Sequence, residues 1–298
     1  MSKIKKASEL IIPETVAGLI YGQPGIGKST IALSSPNPIL IDAENGVHRV
    51  QTEYRVDTLQ VQDYQEILDE LPNLKEYQTI VFDTINEVLV HIEKYIIKKN
   101  AKAVSADGKM NMYGYGLRSV EFKNLVNTIK YMGKNLIFVA HEVETKDDNG
   151  NTIIRPEISG KASAEIMKFL DFVGYCEMAG KRRTVSFAPC SKYYAKNSIK
   201  LNDIINIPTL EYGDKNNFVT EYIINPTIQT RQGESEERKE IDLLLTKGRD
   251  IIANSKDPNA TIAEFKKMDL PLYVSLKLFE ELKASTKLSY NEETRVFE

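Results

Sequence analysis

The sequence predicts an α/β fold in which a mainly parallel sheet is flanked by helices, with a small, mainly helical region at the C-terminal end. Two observations carry this prediction. Short apolar runs of strand length alternate with stretches whose apolar residues recur at helical spacing. Several of these runs end in acidic or polar residues, which is typical of the ligand-binding edge formed by the carboxyl ends of parallel strands.

The alternation can be followed along the chain. The predicted strands cover residues 17–21, 39–41, 79–83 and 135–140, and the predicted helices cover residues 30–33, 64–71, 85–96 and 120–132. Further on, Asn149-Gly150 predicts a β-hairpin between residues 142 and 158, because this dipeptide favours the tight turns that join two strands. The chain then continues as antiparallel strands over residues 172–195.

The domain organisation follows from length and composition. A chain of 298 residues can form one large α/β domain with an appendage, or two domains. We expect a core at residues 1–228, a polar and charged linker at 229–240, and a mainly helical region at 241–298. Within that last region, the pattern fits either a winged helix or a small packed set of helices.

Composition excludes several classes of protein. The net charge of −3 is too small to draw the whole molecule onto nucleic acid or a membrane, so any DNA binding must come from local patches. Two cysteines without a C-x-x-C pair exclude a disulfide scaffold and a zinc ribbon. Since no apolar run has the length of a bilayer and no leader is evident, we expect a cytoplasmic protein without membrane partners.

The strongest motif is the segment that follows the first predicted strand. Residues 22–29 match G-x-x-x-x-G-K-[ST], the phosphate-binding loop of nucleotide hydrolases. Glycines let consecutive backbone N–H groups face one anion, Lys28 brings a positive charge to the β- and γ-phosphates, and Ser29 can ligate Mg²⁺. The residues predicted to contact ATP are Gly22, Gln23, Pro24, Gly25, Ile26, Gly27, Lys28, Ser29 and Thr30.

Two acidic segments follow apolar runs, at positions where their carboxylates could face the phosphate loop. Asp83 ends an apolar run, so it can hold the Mg²⁺ that Ser29 also touches, although it also precedes a helical pattern and can be an N-cap. We favour the metal-binding interpretation because a phosphate loop lies upstream. Residues 42–46 end another apolar run, and spacing alone leaves a ligand site and a solvated turn equally open.

Two other places carry candidate functional residues. Residues 105–118 are predicted to form a mobile loop, in which Tyr113, Tyr115 and Arg118 suit base stacking and contact with a DNA backbone. Glycine–tyrosine runs are also ordinary loop composition, so the alternative stays open. His141 follows a core strand, where it is either a structural hydrogen-bonding residue or a group that senses the γ-phosphate or orients water.

This order of parts, over roughly residues 14–200, resembles a RecA-type P-loop ATPase core, specifically the phage-encoded ATP-binding proteins allied to single-strand annealing recombinases. The resemblance implies that Glu44 is the general base for ATP hydrolysis and that Asp83 binds magnesium. It places His141 where the family has a glutamine sensor, on a strand inserted between the phosphate-loop strand and the magnesium strand, which implies that Lys28, Asp83, Glu44 and His141 surround one site. It also places Lys196 where RecA-like proteins have lysines that reach the ATP of a neighbouring subunit.

The resemblance extends to partners. It places DNA-binding loops after residues 99 and 141, and within the second of these we select Arg155 and Lys161. It implies single-stranded DNA as a ligand, a homo-oligomer (filament or ring) with ATP between subunits, and a single-stranded-DNA-binding protein as a possible partner. The implied function is a DNA-dependent ATPase in phage recombination. The alternative is a nucleotide-gated loading module with little turnover.

Overall fold

The computed structural model describes residues 10, 12–146, 149–159 and 162–298, and the chain divides into two compact units. The larger unit is Pro13–Gln229, and the smaller contains Thr230–Glu298. No helix among the described residues combines the length and the apolar character needed to cross a membrane.

The larger unit is built on a sheet with the strand order β10-β8-β7-β1-β5-β4-β2-β3, to which β6 adds by pairing with β5 and β9 by pairing with β7. Its strands are β1 (Ala17–Gly22), β2 (Pro38–Asp42), β3 (Thr58–Gln60), β4 (Thr79–Asp83), β5 (Asn135–Lys146), β6 (Thr152–Pro156), β7 (Phe172–Ala179), β8 (Arg182–Ser186), β9 (Lys196–Asn197) and β10 (Ile204–Ile207).

Helices accompany this sheet and make up most of the C-terminal region. They are α1 (Lys28–Ala32), α2 (Tyr64–Glu70), α3 (Ile85–Lys99), α4 (Met112–Tyr131), α5 (Ala162–Phe169), α6 (Asn225–Asn254), α7 (Pro258–Lys267) and α8 (Leu272–Ser285). A π-helical turn, Thr220–Ile224, leads directly into α6. The predicted α/β architecture with a helical C-terminal region is confirmed.

The centre of the sheet is parallel, and this positions the functional residues. Strand β1 pairs in parallel with β5 and β7, and β4 pairs in parallel with β5 and β2. Strand β5 therefore lies between β1 and β4, as expected. Because parallel strands end at the same edge, the strand ends Gly22, Asp83 and Asp42 lie at one side of the sheet, together with His141, where the parallel part of β5 ends.

Apolar residues cover both faces of the sheet. One core cluster contains Phe82 and Phe138, whose rings stack with centroids 5.5 Å apart beneath side chains from α2, α3 and α4. The other cluster contains Ile20 and Val81 with residues from α1 and the π-helical turn. Burial on both faces explains why these strands read as continuous apolar runs rather than as alternating patterns.

The predicted hairpin is confirmed. The second half of β5 pairs antiparallel with β6, from Glu142 opposite Pro156 to Lys146 opposite Thr152. Gly150, in the predicted turn, has a φ of 83°, the left-handed region that glycine occupies without strain.

The predicted mobile loop over residues 105–118 is wrong for its second half, which forms the first turns of α4. Asn111 caps this helix by accepting a hydrogen bond from the N–H of Gly114 at 3.0 Å. A Cβ on Gly114 would lie 2.7 Å from the carbonyl oxygen of Ala103. This glycine therefore permits a close approach of two segments, and its presence does not indicate mobility.

Residues 229–240, predicted to be a linker, lie inside helix α6. Glutamate, glutamine, arginine and lysine are good helix formers, so a polar and charged composition does not interrupt a helix here. The division between the two compact units falls within this helix, between Gln229 and Thr230.

The smaller unit has a core of its own. Leu245, Phe265, Val274, Leu278 and Leu282 are buried together with Phe297, which belongs to a short hairpin of β11 (Tyr290–Asn291) and β12 (Val296–Phe297). The predicted mainly helical character of this region is confirmed, and a terminal hairpin accompanies it.

We expect Gly18→Ala to lower the free energy of unfolding by about 1–3 kcal/mol, since a Cβ at this position would lie 2.0 Å from the ring of the fully buried Phe172. Gly116→Ala is the control, because it adds a methyl group to open space on the exposed side of α4 and should stabilise by about 0.5–1 kcal/mol. Urea unfolding measures both variants. Equal effects of the two substitutions would contradict the packing described for β1.

Candidate functional site

The predicted phosphate loop connects β1 to α1 and has an open, bent backbone. Gly25 and Gly27 have φ angles of 80° and 94°, and Gly27 is the residue that immediately precedes α1. Other residues adopt these left-handed angles only under strain. The sequence therefore places glycine where the loop must turn back toward the helix.

Lys28 is held at the base of this loop. Its side chain is only 5% exposed, and its ammonium donates a hydrogen bond to the carbonyl oxygen of Gln23 at 2.8 Å. Burial lowers the pKa of this ammonium, while the nearby carboxylates, chiefly that of Asp83, act in the opposite direction. The lysine thus has a partner in its own loop and remains next to the acids of the neighbouring strands.

Ser29 and Asp83 are in direct contact. The hydroxyl of Ser29 donates to Oδ2 of Asp83 at 2.5 Å. Burial is the main cause that raises the pKa of the Asp83 carboxyl; the bond from Ser29 opposes this shift, and the charges of Glu44 and Asp42 add to it. A hydroxyl and a carboxylate side by side are the hard oxygen donors that Mg²⁺ takes together with phosphate oxygens and water, so this pair fits the predicted metal.

The N-cap alternative for Asp83 is wrong. The N-cap position of α3 is occupied by the next residue, Thr84, and no side-chain cap bond is made there. The peptide bond between Asp83 and Thr84 is cis.

Glu44 is fixed by contacts with two other strand ends. Its Oε1 accepts a hydrogen bond from the Thr84 hydroxyl at 2.6 Å and lies 3.6 Å from Nε2 of His141. The Glu44 and His141 side chains are 24% and 34% exposed, so solvent reaches both. The other ring nitrogen of His141, Nδ1, is buried without a hydrogen-bond partner among the residues that the structure describes.

Asp42 shapes the turn that carries Glu44. Its carboxylate is buried and accepts hydrogen bonds from the N–H groups of Gly46 at 2.8 Å and Val47 at 3.0 Å. The segment from 42 to 46 thus combines both readings that the sequence left open, because Asp42 closes a turn while Glu44 projects toward the neighbouring strand tips.

These residues share one cleft, here called the phosphate-loop cleft, which contains about 730 Å³ of space including its open mouth. Its lining residues are Pro24, Gly25, Gly27, Lys28, Ser29, Thr30, Asp42, Glu44, Gly46, Arg49, Val50, Asp83 and His141. The predicted loop, metal and catalytic residues thus converge on this cleft, except that Gly22, Gln23, Ile26 and Lys196 are not among its lining residues.

Two participants were not predicted from the sequence. Thr84, which positions Glu44, is one of several threonines at predicted strand ends, and nothing in its spacing marks it out. Arg49 lines the cleft from a short 3₁₀ turn, Val47–Arg49, and a single arginine in a polar segment carries no motif.

A second cleft, here called the side cleft, lies against the outer surface of the same loop and shares Gly27 and Thr30 with the first. Arg183 lies between the loop and the edge strands, donating to the carbonyl oxygens of Ile26 at 3.5 Å and Pro208 at 2.9 Å. The remaining lining residues are Ile31, Ile207, Leu210, Lys215, Asn216, Asn217 and Phe218.

Lys196 is placed differently from the prediction. Its ammonium donates to the carbonyl oxygens of Met167 at 3.0 Å and Leu170 at 2.6 Å, at the C-terminal end of α5. Positive charge is stabilising at such an end, where backbone carbonyls lack helical partners. We therefore assign Lys196 a structural role in place of the predicted catalytic one.

The predicted DNA contact of Arg118 is wrong. Its side chain is 2% exposed, and its guanidinium lies 3.2 Å from the Glu93 carboxylate and donates to the carbonyl oxygen of Ser159 at 2.9 Å. A buried guanidinium with these partners is unavailable to a DNA backbone.

The other predicted DNA-binding residues remain on the surface or lie outside the description. Tyr113 and Tyr115, in the first turn of α4, are 55% and 42% exposed. Arg155 is exposed on β6. Lys161 lies outside the described residues.

We expect Asp83→Asn to raise the urea midpoint of the nucleotide-free protein at neutral pH, because an amide can still accept the Ser29 bond without a desolvated charge. The carboxyl has a higher pKa folded than unfolded, so wild-type stability falls as pH rises from the unfolded value of 3.8 through the folded one. The advantage of the variant should therefore be larger at pH 8 than at pH 5. An advantage that grows toward acid pH would contradict this assignment.

Comparison with known proteins agrees with this geometry. A family model described as an AAA domain matches residues 14–199, a range that contains the phosphate loop and every acidic residue of its cleft. A search of curated proteins found no match. The matched range covers more than half of the chain. The chain therefore belongs to the AAA domain family and is a P-loop ATPase by its fold and its loop.

Proposed function

We propose that this protein is a DNA-dependent ATPase that acts on single-stranded DNA in phage recombination, including strand annealing. The observation that carries the ATPase part is the position of Glu44, whose side chain lines the same cleft as Lys28 and the Ser29–Asp83 pair. A carboxylate at this place can accept a proton from water that attacks a phosphoryl group.

In the proposed reaction, a water oxygen attacks the γ-phosphorus of ATP while the bond from that phosphorus to the β–γ bridging oxygen breaks. The water proton passes to Glu44, and the bridging oxygen leaves with its electron pair on ADP. Lys28 and the N–H groups of the loop stabilise the negative charge of the transferred group. Mg²⁺, when bound, neutralises charge on the β- and γ-phosphoryl oxygens, and Ser29 and Asp83 would hold it.

Positioning of the base comes from two neighbours. The Thr84 hydroxyl donates a hydrogen bond to Oε1 of Glu44, and Nε2 of His141 lies 3.6 Å from the same oxygen. His141 is paired with Gly22 at the end of the parallel part of β5, so its side chain can also contact the terminal phosphate of a nucleotide on the loop. This supports a sensor role for His141.

The side cleft supports a place for the nucleoside. Gly27 and Thr30 line both clefts, so a molecule whose phosphates rest on the loop extends naturally from one to the other. Ile207, Leu210 and Phe218 offer apolar surface for a flat base, and Asn216 offers an amide near its edge, as small-molecule sites commonly do.

The DNA part of the proposal rests on surface chemistry. Tyr113 and Tyr115 present aromatic rings near the start of α4, and Arg155 presents a cation on β6. Stacking of bases on such rings is insensitive to sequence, which suits annealing. We further propose a homo-oligomer with ATP at subunit interfaces, working with a single-stranded-DNA-binding protein.

One observation favours a second function, a nucleotide-gated loading module with little turnover. Lys196 is bound to the end of α5, so a second cation supplied in trans to the ATP of a neighbour has no candidate at the predicted position. Without such a cation, nucleotide binding would act as a conformational latch.

We expect Glu44→Gln to reduce kcat for ATP hydrolysis by at least about 100-fold while nucleotide affinity changes by less than about threefold, because the amide cannot accept the water proton. The matched control is Glu237→Gln, an exposed position on α6. Phosphate release and nucleotide titration measure the two quantities. Wild-type turnover in Glu44→Gln would refute the proposed base, and negligible turnover in the wild type with and without DNA would favour the latch.

Single-stranded DNA should raise the ATPase rate, and Tyr113→Ala should weaken DNA binding by roughly 5- to 100-fold through the loss of one stacked base. Tyr131→Ala is the control, since Tyr131 is 91% exposed at the opposite end of α4. Fluorescence anisotropy with labelled oligothymidylate measures affinity. Equal affinities of both variants for the oligonucleotide would rule out the proposed stacking site.

A further inference from the structure

Arg49 occupies a distinctive position in the phosphate-loop cleft. Its side chain is exposed and lines the cleft together with Lys28, Glu44 and Asp83. Within the part of the chain that the structure describes, the Arg49 guanidinium makes no hydrogen bond or ion pair. A charged group that faces a ligand cleft without a protein partner is available to a ligand.

The backbone that carries Arg49 is held from both sides. Asp42 fixes the start of the turn through Gly46 and Val47. Arg55 fixes the end, donating to the carbonyl oxygens of Val50 at 2.9 Å and His48 at 2.8 Å. The two arginines of this segment thus differ, since Arg55 braces the turn and Arg49 is presented by it.

The order of the strands places the Val47–Arg49 turn across the cleft from the phosphate loop. In the order β1-β5-β4-β2, three strand spacings separate the strand before the loop from the strand before the turn, about 14 Å at the usual distance between neighbours. A triphosphate held by Lys28, with its Mg²⁺ at Ser29 and Asp83, would extend into this interval with its terminal phosphate toward β4 and β2. Arg49 approaches from the side of the terminal phosphate.

The charges of the cleft favour a second cation there. Asp42, Glu44 and Asp83 contribute three carboxylates to the lining of the cleft. Among the residues that the structure describes, the lining contains one lysine, Lys28. A bound triphosphate adds further negative charge, and in a site partly shielded from water this repulsion is costly. An arginine can bind two phosphate oxygens at once through its planar fork.

We propose that Arg49 is a catalytic residue that contacts the terminal phosphate of the nucleotide bound to its own chain. The inference rests on the proposed function as an ATPase. As the bond to the β–γ bridging oxygen breaks, the guanidinium stabilises the charge on the γ-phosphoryl group from the wall opposite Lys28. Lys28 and Arg49 thereby enclose the terminal phosphate within one subunit.

The test compares a nucleotide that has a γ-phosphate with one that lacks it. Titration of the full chain with AMP-PNP and with ADP, both with Mg²⁺, should show that Arg49→Ala weakens AMP-PNP binding at least about tenfold and ADP binding less than about threefold. Arg49→Lys should recover part of the loss. Arg238→Ala, an exposed arginine on α6, should match the wild type. In hydrolysis assays, Arg49→Ala should lower kcat at least about 100-fold.

Equal effects of Arg49→Ala on the two nucleotides, or no effect on either, would overturn the proposal. These titrations do not depend on turnover. If the wild type binds both nucleotides but does not hydrolyse ATP, the enzymatic proposal fails. The effect of Arg49→Ala on the affinity for AMP-PNP relative to ADP still shows whether Arg49 contacts the terminal phosphate. Absence of nucleotide binding by the wild type would overturn both.

Discussion

The parallel register of β1, β5, β4 and β2 is the constraint on which the site depends. It pairs Gly22 with His141, Asp83 with Val139 and Asp42 with Asp83, so four strands that are distant in sequence bring their functional residues to the same edge of the sheet. These functional positions carry a glycine, an imidazole and two carboxylates. A shift of one residue in any pairing would turn these side chains to the other face of the sheet, into one of the two apolar clusters.

The site concentrates charge at a considerable energetic cost. Lys28 is buried and Asp83 is partly buried, and desolvation lowers the pKa of the ammonium and raises that of the carboxyl, which favours the neutral form of each. The fold tolerates this because the groups have partners: a loop carbonyl for the ammonium and the Ser29 hydroxyl for the carboxylate. The desolvation of these two groups lowers the stability of the fold, and the same groups are available to bind a highly charged ligand, as expected for such a site.

Much of the core and the centre of the site could be predicted from the sequence because both are local in character. The phosphate loop is a contiguous motif, and the strand ending at Asp83 is one apolar run followed by one acid. Even the order of strands β1, β5 and β4 followed from a family resemblance that rests on short segments. The α/β class, the hairpin of β5 and β6, and the convergence of Glu44 and His141 on the loop came out as expected.

The wrong predictions concern residues whose surroundings come from elsewhere in the chain. Arg118 looked like a surface cation, but Glu93 and Ser159, 25 and 41 residues away, bury it. Lys196 is likewise bound by backbone carbonyls from another part of the chain, those of Met167 and Leu170 at the end of α5, in place of its predicted catalytic role. Arg49 was missed because an isolated arginine has no spacing to detect. Arg183 was missed because it ends the run Lys181-Arg182-Arg183, which is typical of a solvated turn, and only the folded chain places these two arginines at the clefts.

The bond from Lys28 to the Gln23 carbonyl has a consequence for the way the loop exchanges its ligand. The Gln23 carbonyl is an acceptor that the Lys28 ammonium can exchange for a phosphate oxygen, so binding of a nucleotide replaces one acceptor by a stronger one and leaves no buried charge unpaired. Departure of product runs the same exchange in reverse. With this carbonyl at hand, neither binding nor release of a ligand has to pass through a state in which the buried ammonium lacks an acceptor.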